Sequence, residues 1–219
     1  MSEYMIHVCP ERKWYVDEFL IPSMIEQGIS DSDIDVWYDA ERKGNLASCM
    51  ESFAACGERD GGTWHLQDDV IISHDFAEKT EIFDKGIVCG FVNEIFGPNP
   101  TMSGDNIPAP FMFNSFQCIR IPNRLAGECA EWVRTEAAND PQCQSWISSG
   151  KCDDSLWVEF IAQRHPDIRV TNLRPCIVDH IDFLLGGSVI NKWRGYYARA
   201  TWWDDEDLVA ELTEKLAHR

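Results

Sequence analysis

The stretch Thr63-Trp64-His65-Leu66-Gln67-Asp68-Asp69-Val70-Ile71-Ile72 decides how this chain is read. A β-like run enters it, two adjacent carboxylates interrupt it, and Val70-Ile71-Ile72 resumes the apolar character. Adjacent carboxylates between apolar segments cost folding energy unless a cation offsets them. Two readings stand. One is a polar turn between two strands. The other is a site for a hard divalent cation, Mg²⁺ or Mn²⁺, which takes few protein ligands when a diphosphate supplies the rest.

Upstream, Tyr4-Met5-Ile6-His7-Val8 is a short β-like run ended by Cys9-Pro10. Residues 13–27 place Val16, Phe19, Leu20 and Met24 at helical spacing, with Pro22 expected to kink or divide the helix and Gly28 to close it. Ile34–Tyr38 reads as a second strand with Asp39 just past its end. Asn45–Cys56 reads as a helix with Leu46, Cys49, Met50, Phe53 and Ala54 on one face. Downstream, Ile87–Val92, Phe116–Pro122 and Ile168–Val170 read as strands, Arg124–Ala138 and Asp153–Gln163 as helices, and 97–113 and 139–152 as loops. Asp204–His218 reads as an N-capped amphipathic helix.

This alternation predicts an α/β fold, a Rossmann-like mixed, mostly parallel sheet flanked by helices. Residues 1–200 are expected to form one domain, with 201–219 a C-terminal helix packed on it or extending it. In such sheets ligands bind beyond the carboxyl ends of the strands. Pro10–Arg12, Asp39 and Gln67–Asp69 lie at three such ends and are expected to converge on one crevice.

Composition narrows the function. With 219 residues, 44% hydrophobic and nine Trp, the chain can fill a core. No apolar run reaches the roughly 20 residues of a membrane span, and Met1–Pro10 lacks the pattern of a secretory leader, so a cytoplasmic location is expected. Nineteen basic against 37 acidic residues give a net charge of −18, which disfavours duplex nucleic acid as a partner. The nine Cys form no CxxC pair and match no zinc template, so free thiols are expected.

Trp64-His65-Leu66-Gln67-Asp68-Asp69-Val70 resembles the "LEDDV" strand end of nucleotide-sugar glycosyltransferases with the A-type fold, closest to the family 25 group of lipooligosaccharide and collagen galactosyltransferase-like enzymes. Gly44-Asn45 to Phe53 is similar to the glycine-led helix before that strand. His74-Asp75-Phe76 is similar to the "DF" after it, and Pro175-Cys176-Ile177-Val178-Asp179-His180-Ile181, followed by Ser188, to a late "P-x-L-V-x-H-I" segment. The resemblance implies transfer of a sugar from a nucleotide-diphosphate sugar, a UDP-sugar first of all, to an acceptor hydroxyl with Mn²⁺ or Mg²⁺. It implies that Asp69 binds the metal, that Gln67 stands where the motif is normally acidic, that Asp68 lies beside the donor ribose or sugar, and that His180 is the late metal or diphosphate ligand.

Asp39 either reads the nucleotide base or ribose or is a helix N-cap or loop aspartate. Arg12 can contact the base or phosphate, and Asn45 and Ser48, one helical turn apart, can face the donor. Asp153 and Asp154 are candidates for the catalytic base that activates the acceptor hydroxyl, with helix capping as the alternative. Trp202-Trp203 can stack an acceptor sugar or pack the terminal helix. Saccharide, protein side chain and modified nucleobase remain open as acceptors, contacted from 97–113, 139–152 and the C-terminal segment. A nucleotidyltransferase, and a non-catalytic sugar- or protein-binding module, are the competing classes; Gln67 favours the second of these.

Overall fold

The computed structural model describes residues 3–91, 106–108, 116–150, 153–173, 176–181, 210 and 213–214. Ser188, Trp202-Trp203 and most of the C-terminal helix expected at 204–218 lie outside them. No described helix is long and apolar enough to cross a membrane.

The chain is α/β. The main sheet orders its seven strands β2 (Ile34–Tyr38), β1 (Tyr4–Val8), β3 (Gly62–Gln67), β7 (Cys118–Pro122), β5 (Ile87–Cys89), β8 (Arg169–Asn172) and β6 (Asn106–Pro108). β1 is parallel to β2 and β3, and β5 to β8, while β7 runs against both β3 and β5 and β6 against β8. Most strands therefore share one direction, and the sheet is mixed and Rossmann-like. The inner strands β1, β3 and β5 are buried on both faces, whereas β2 at the sheet edge is half exposed. Tyr4, Ile6 and Val8 join one apolar cluster with Trp64, Leu66 and Phe76, while Met5 joins the other with Ile119, Ile121, Phe53 and Trp157. That double burial explains the near-continuous apolar runs of the central strands.

Several sequence expectations are revised. The helix over 13–27 is α1 (Lys13–Tyr15), a π-helical turn at Val16–Leu20, and α2 (Ile21–Glu26). The wide turn absorbs Pro22, which has no amide to donate. The apolar run after Asp69 does not prolong β3. It forms β4 (Val70–Ile72), which pairs antiparallel with β9 (Val178–His180) in a separate two-stranded sheet, so the two carboxylates sit where the chain leaves one sheet for the other. Within 97–113, expected as loop, Asn106–Pro108 is a strand. Within 139–152, also expected as loop, α6 (Pro141–Ser149) forms: Asp140 caps it by accepting from the amides of Gln142 and Cys143, Pro141 opens it, and Gly150 closes it in the left-handed conformation.

Helices α3 (Asn45–Gly57), α5 (Asn123–Thr135) and α7 (Asp153–Arg164) cover one face, and α4 (Phe76–Ile82) follows β4 on the other. Where α3 crosses α5, a Cβ on Gly57 would stand 2.6 Å from the Gly127 Cα. Gly57→Ala is therefore expected to lower stability by about 2 kcal/mol, the cost of overpacking backbone against backbone, read as a lower urea midpoint. An unchanged midpoint would mean the helices can separate freely.

Candidate functional site

The register of the parallel strands brings the predicted residues together. His7 pairs with Gln67 and Val8 with Tyr38, so Cys9–Arg12, Asp39 and Gln67–Asp69 leave the sheet at one carboxyl edge. α3, which follows β2, and α7, which precedes the parallel strand β8, start at that edge as well.

The centre is a buried charge cluster. One Arg12 nitrogen, Nη1, donates to Asp68 Oδ1 at 3.0 Å and to Asp69 Oδ2 at 2.9 Å. Arg12 is 4% exposed, and Asp68 and Asp69 are each 6% exposed. The Cys9 amide donates to Asp68 Oδ2 at 2.6 Å. Burial first, and then the Asp69 charge, raise the Asp68 pKa; Arg12 opposes both only in part. Burial and Asp68 push the Cys9 thiol up to about 12, so it stays protonated and is not a nucleophile. The Tyr15 hydroxyl donates to the Val70 carbonyl at 2.8 Å and holds the chain just past the two carboxylates.

His180 arrives from the far end of the sequence. Pairing of β4 with β9 sets it opposite Val70, and the Ile181 amide donates to the Asp69 carbonyl at 2.8 Å. His180 Nε2 lies 3.3 Å from Asp69 Oδ2. Asp69 Oδ1 is buried without a hydrogen-bond partner among the described residues.

That orphaned oxygen is the observation against which a metal can be tested. No three His, Cys, Asp or Glu side chains gather as a complete metal cage among the described residues. One carboxylate oxygen without a partner, Oδ1, and a second, Oδ2, beside an imidazole nevertheless fit a hard divalent ion that takes its remaining ligands from a diphosphate. Asp69 and His180 are the side chains that would hold it.

Gln67 does not join them. Its Oε1 accepts from Gln117 Nε2 at 3.2 Å. Alternation along β3 explains the separation: Leu66 packs in the cluster that holds Val70, whereas His65 meets Phe53 on the α3 face, and Gln67 follows His65. The structure thus places Gln67 with Gln117, and Asp69 with His180.

Asp39 supports the loop rather than reaching outward. Its Oδ1 accepts from the Lys43 amide at 2.8 Å and its Oδ2 from the Gly44 amide at 2.9 Å, which orders the turn into α3. α3 starts after Gly44 without a side-chain cap, so the contacts favour the loop-aspartate alternative. Asp39 also lines a cavity of about 430 Å³ with Trp37, Tyr38, Lys43 and Ser48. Along α3, Ser48 is buried and Asn45 exposed. Asn45 lies near enough to the Asp153 carboxyl to favour its charged form.

Asp153, 5% exposed, has its pKa raised to about 7, mainly by burial and then by the charge of Asp154. Asp154 is half-buried, its pKa also raised by burial, and its Oδ1 accepts from the Ser155 amide at 2.7 Å. The Asp154 charge adds to burial in raising Asp153.

Several functional neighbours carried no sequence signal. They include the Cys9 amide, the Tyr15 hydroxyl and Gln117. Beneath the edge, His7 Nε2 meets His65 Nδ1 at 3.0 Å, and the Ser52 hydroxyl lies 3.4 Å from His7 Nδ1. Burial lowers His7 to about 4 and His65 further below its ordinary value, so both rings are neutral at pH 7. Polar residues alternating through otherwise apolar strands were the available hint.

No family model matches the chain, and no curated protein matches it.

Proposed function

We propose that this protein is a metal-dependent glycosyltransferase that moves a sugar from a nucleotide-diphosphate sugar, a UDP-sugar first of all, to an acceptor hydroxyl. The observation that carries the reading is the meeting of Asp69 and His180 at 3.3 Å, at the carboxyl edge of the sheet and beside Arg12. The order of motifs, which resembles family 25 enzymes of the A-type fold, supports the same reading.

The nucleoside sits in the cavity lined by Trp37, Tyr38, Asp39 and Ser48, and the diphosphate lies along Arg12 toward Asp69 and His180. A bound Mn²⁺ or Mg²⁺ supplies stabilisation of the charge that develops on the leaving diphosphate. Arg12 adds a fixed positive charge to the same oxygens, and His180 orients beside them. The acceptor oxygen attacks the anomeric carbon as the bond from that carbon to the diphosphate oxygen breaks, and the bonding electron pair leaves with the diphosphate. The acceptor proton goes to Asp153 or Asp154; the pKa of Asp153, raised to about 7, suits proton exchange near neutrality.

Calorimetric titration of the chain with UDP, UDP-sugars and nucleoside triphosphates, with and without Mn²⁺, tests this. Mn²⁺-dependent binding of UDP, lost by at least about tenfold in Asp69→Asn, is the expected result. Preference for a triphosphate would move the assignment to a nucleotidyltransferase, and no nucleotide binding to a non-catalytic module.

A further inference from the structure

We infer that Arg12 is a resident counter-cation that competes with a divalent metal for Asp69, so that the metal binds tightly only together with a diphosphate that draws Arg12 away. The inference rests on the nucleotide-diphosphate reading and adds to it an order of binding and the residue that imposes it.

Competition follows from which atoms are shared. Asp69 Oδ2 is held by Arg12 Nη1 at 2.9 Å and is also the oxygen 3.3 Å from His180 Nε2. An ion placed between the carboxylate and the imidazole meets the oxygen that Arg12 already occupies. The same Nη1 holds Asp68 Oδ1 at 3.0 Å, so the guanidinium is anchored to both carboxylates at once. All three side chains are buried, where charges are screened far less than at the surface. A divalent ion entering alone therefore meets a fixed positive charge in a site whose two carboxylates are already partly neutralised.

A diphosphate reverses this balance. It offers oxygens to the metal and a bidentate pair of charged oxygens to the planar guanidinium. The backbone at Arg12 does not have to move: its amide donates to the Cys9 carbonyl, and its carbonyl accepts from Tyr15 and Val16. The side chain alone moves from carboxylates to phosphate. Asp69 Oδ2, the oxygen that faces His180, is then released for the metal. By linkage, metal must tighten the nucleotide by the factor by which nucleotide tightens the metal.

The test is a titration of Mn²⁺ into the full chain, followed by the paramagnetic resonance of free Mn²⁺, with and without saturating UDP, for the wild type and for Arg12→Met. In the wild type, UDP is expected to tighten Mn²⁺ by at least about tenfold. In Arg12→Met, Mn²⁺ alone is expected to bind about tenfold tighter than in the wild type, with most of the UDP enhancement gone. Equal Mn²⁺ affinity with and without UDP, in a wild type that binds UDP, overturns the competition and leaves the nucleotide reading standing. Failure to bind UDP under any condition removes the nucleotide reading itself. A measurement independent of the variant's folding is the Arg12 side-chain nitrogen resonance of the wild type. It is expected to shift when UDP is added without metal, and an unmoved resonance in the UDP-bound protein overturns the proposal.

Discussion

Asp153→Asn is expected to make the fold more stable at pH 8, by about 3 kcal/mol, while reducing sugar transfer by at least about a hundredfold. The pKa of Asp153 rises from 3.8 in the unfolded chain to about 7 in the fold. Such a group contributes stability that is full below pH 3.8 and lost as the pH rises through 7. At pH 8 the folded chain carries an ionised carboxylate that burial disfavours, a cost of about 4 kcal/mol for a shift of that size. Asn carries no charge at any pH and keeps an oxygen for Asn45. Its second amide proton needs a new partner, which takes back about 1 kcal/mol.

Urea midpoints at pH 8 and pH 5 measure the effect, which is expected to shrink as the pH falls. A second signature comes from the histidines. His7, at about 4, and His65, lowered further, lose stability as the pH falls below 6.5, whereas Asp153 gains it over that range. The wild-type profile between pH 4 and 7 is therefore shallow, and the variant's profile falls steeply toward acid. A variant less stable than the wild type at pH 8 would show that the carboxylate anchors the start of α7 and has no part in proton transfer.

Arg12→Met is expected to cost about 4 kcal/mol of folding stability at pH 7.5 in the absence of metal. Two carboxylates, each 6% exposed, lose their shared cation, and an uncompensated buried charge typically costs 3–5 kcal/mol. The Cys9 amide still serves Asp68, but it carries no net charge to offset the pair. The deficit is expected to narrow as the pH falls, because the raised pKa of Asp68 lets that carboxyl protonate early. Denaturant midpoints at pH 7.5 and pH 5 check both statements. A loss below about 1 kcal/mol would show that water hydrates the carboxylates and that the cluster is not the dry, charge-paired site described above.

The edge of the sheet was legible because its residues announce themselves by polarity. Arg12, Asp39 and Asp68-Asp69 follow apolar runs, and a run that ends in charge marks where a strand leaves the core. α3 was legible from Leu46, Cys49 and Phe53, which recur at helical spacing and enter one cluster. α6 was missed although Asp140, Pro141 and Gly150 punctuate it, because its apolar residues are too few to draw a continuous stripe.

The sequence by itself determined the class of fold and the placing of carboxylates at the strand ends, since each depends on the local alternation of apolar and polar side chains. Only the tertiary structure decided that β7 enters antiparallel between β3 and β5, that the chain changes sheets at Asp68-Asp69, that Gln67 turns to Gln117, and that Arg12 and His180 share one oxygen of Asp69. The physical reason is that periodicity records which face of an element is buried but not its neighbour or its direction. A long cationic side chain finds its partner through space, at a distance along the chain that no local pattern encodes.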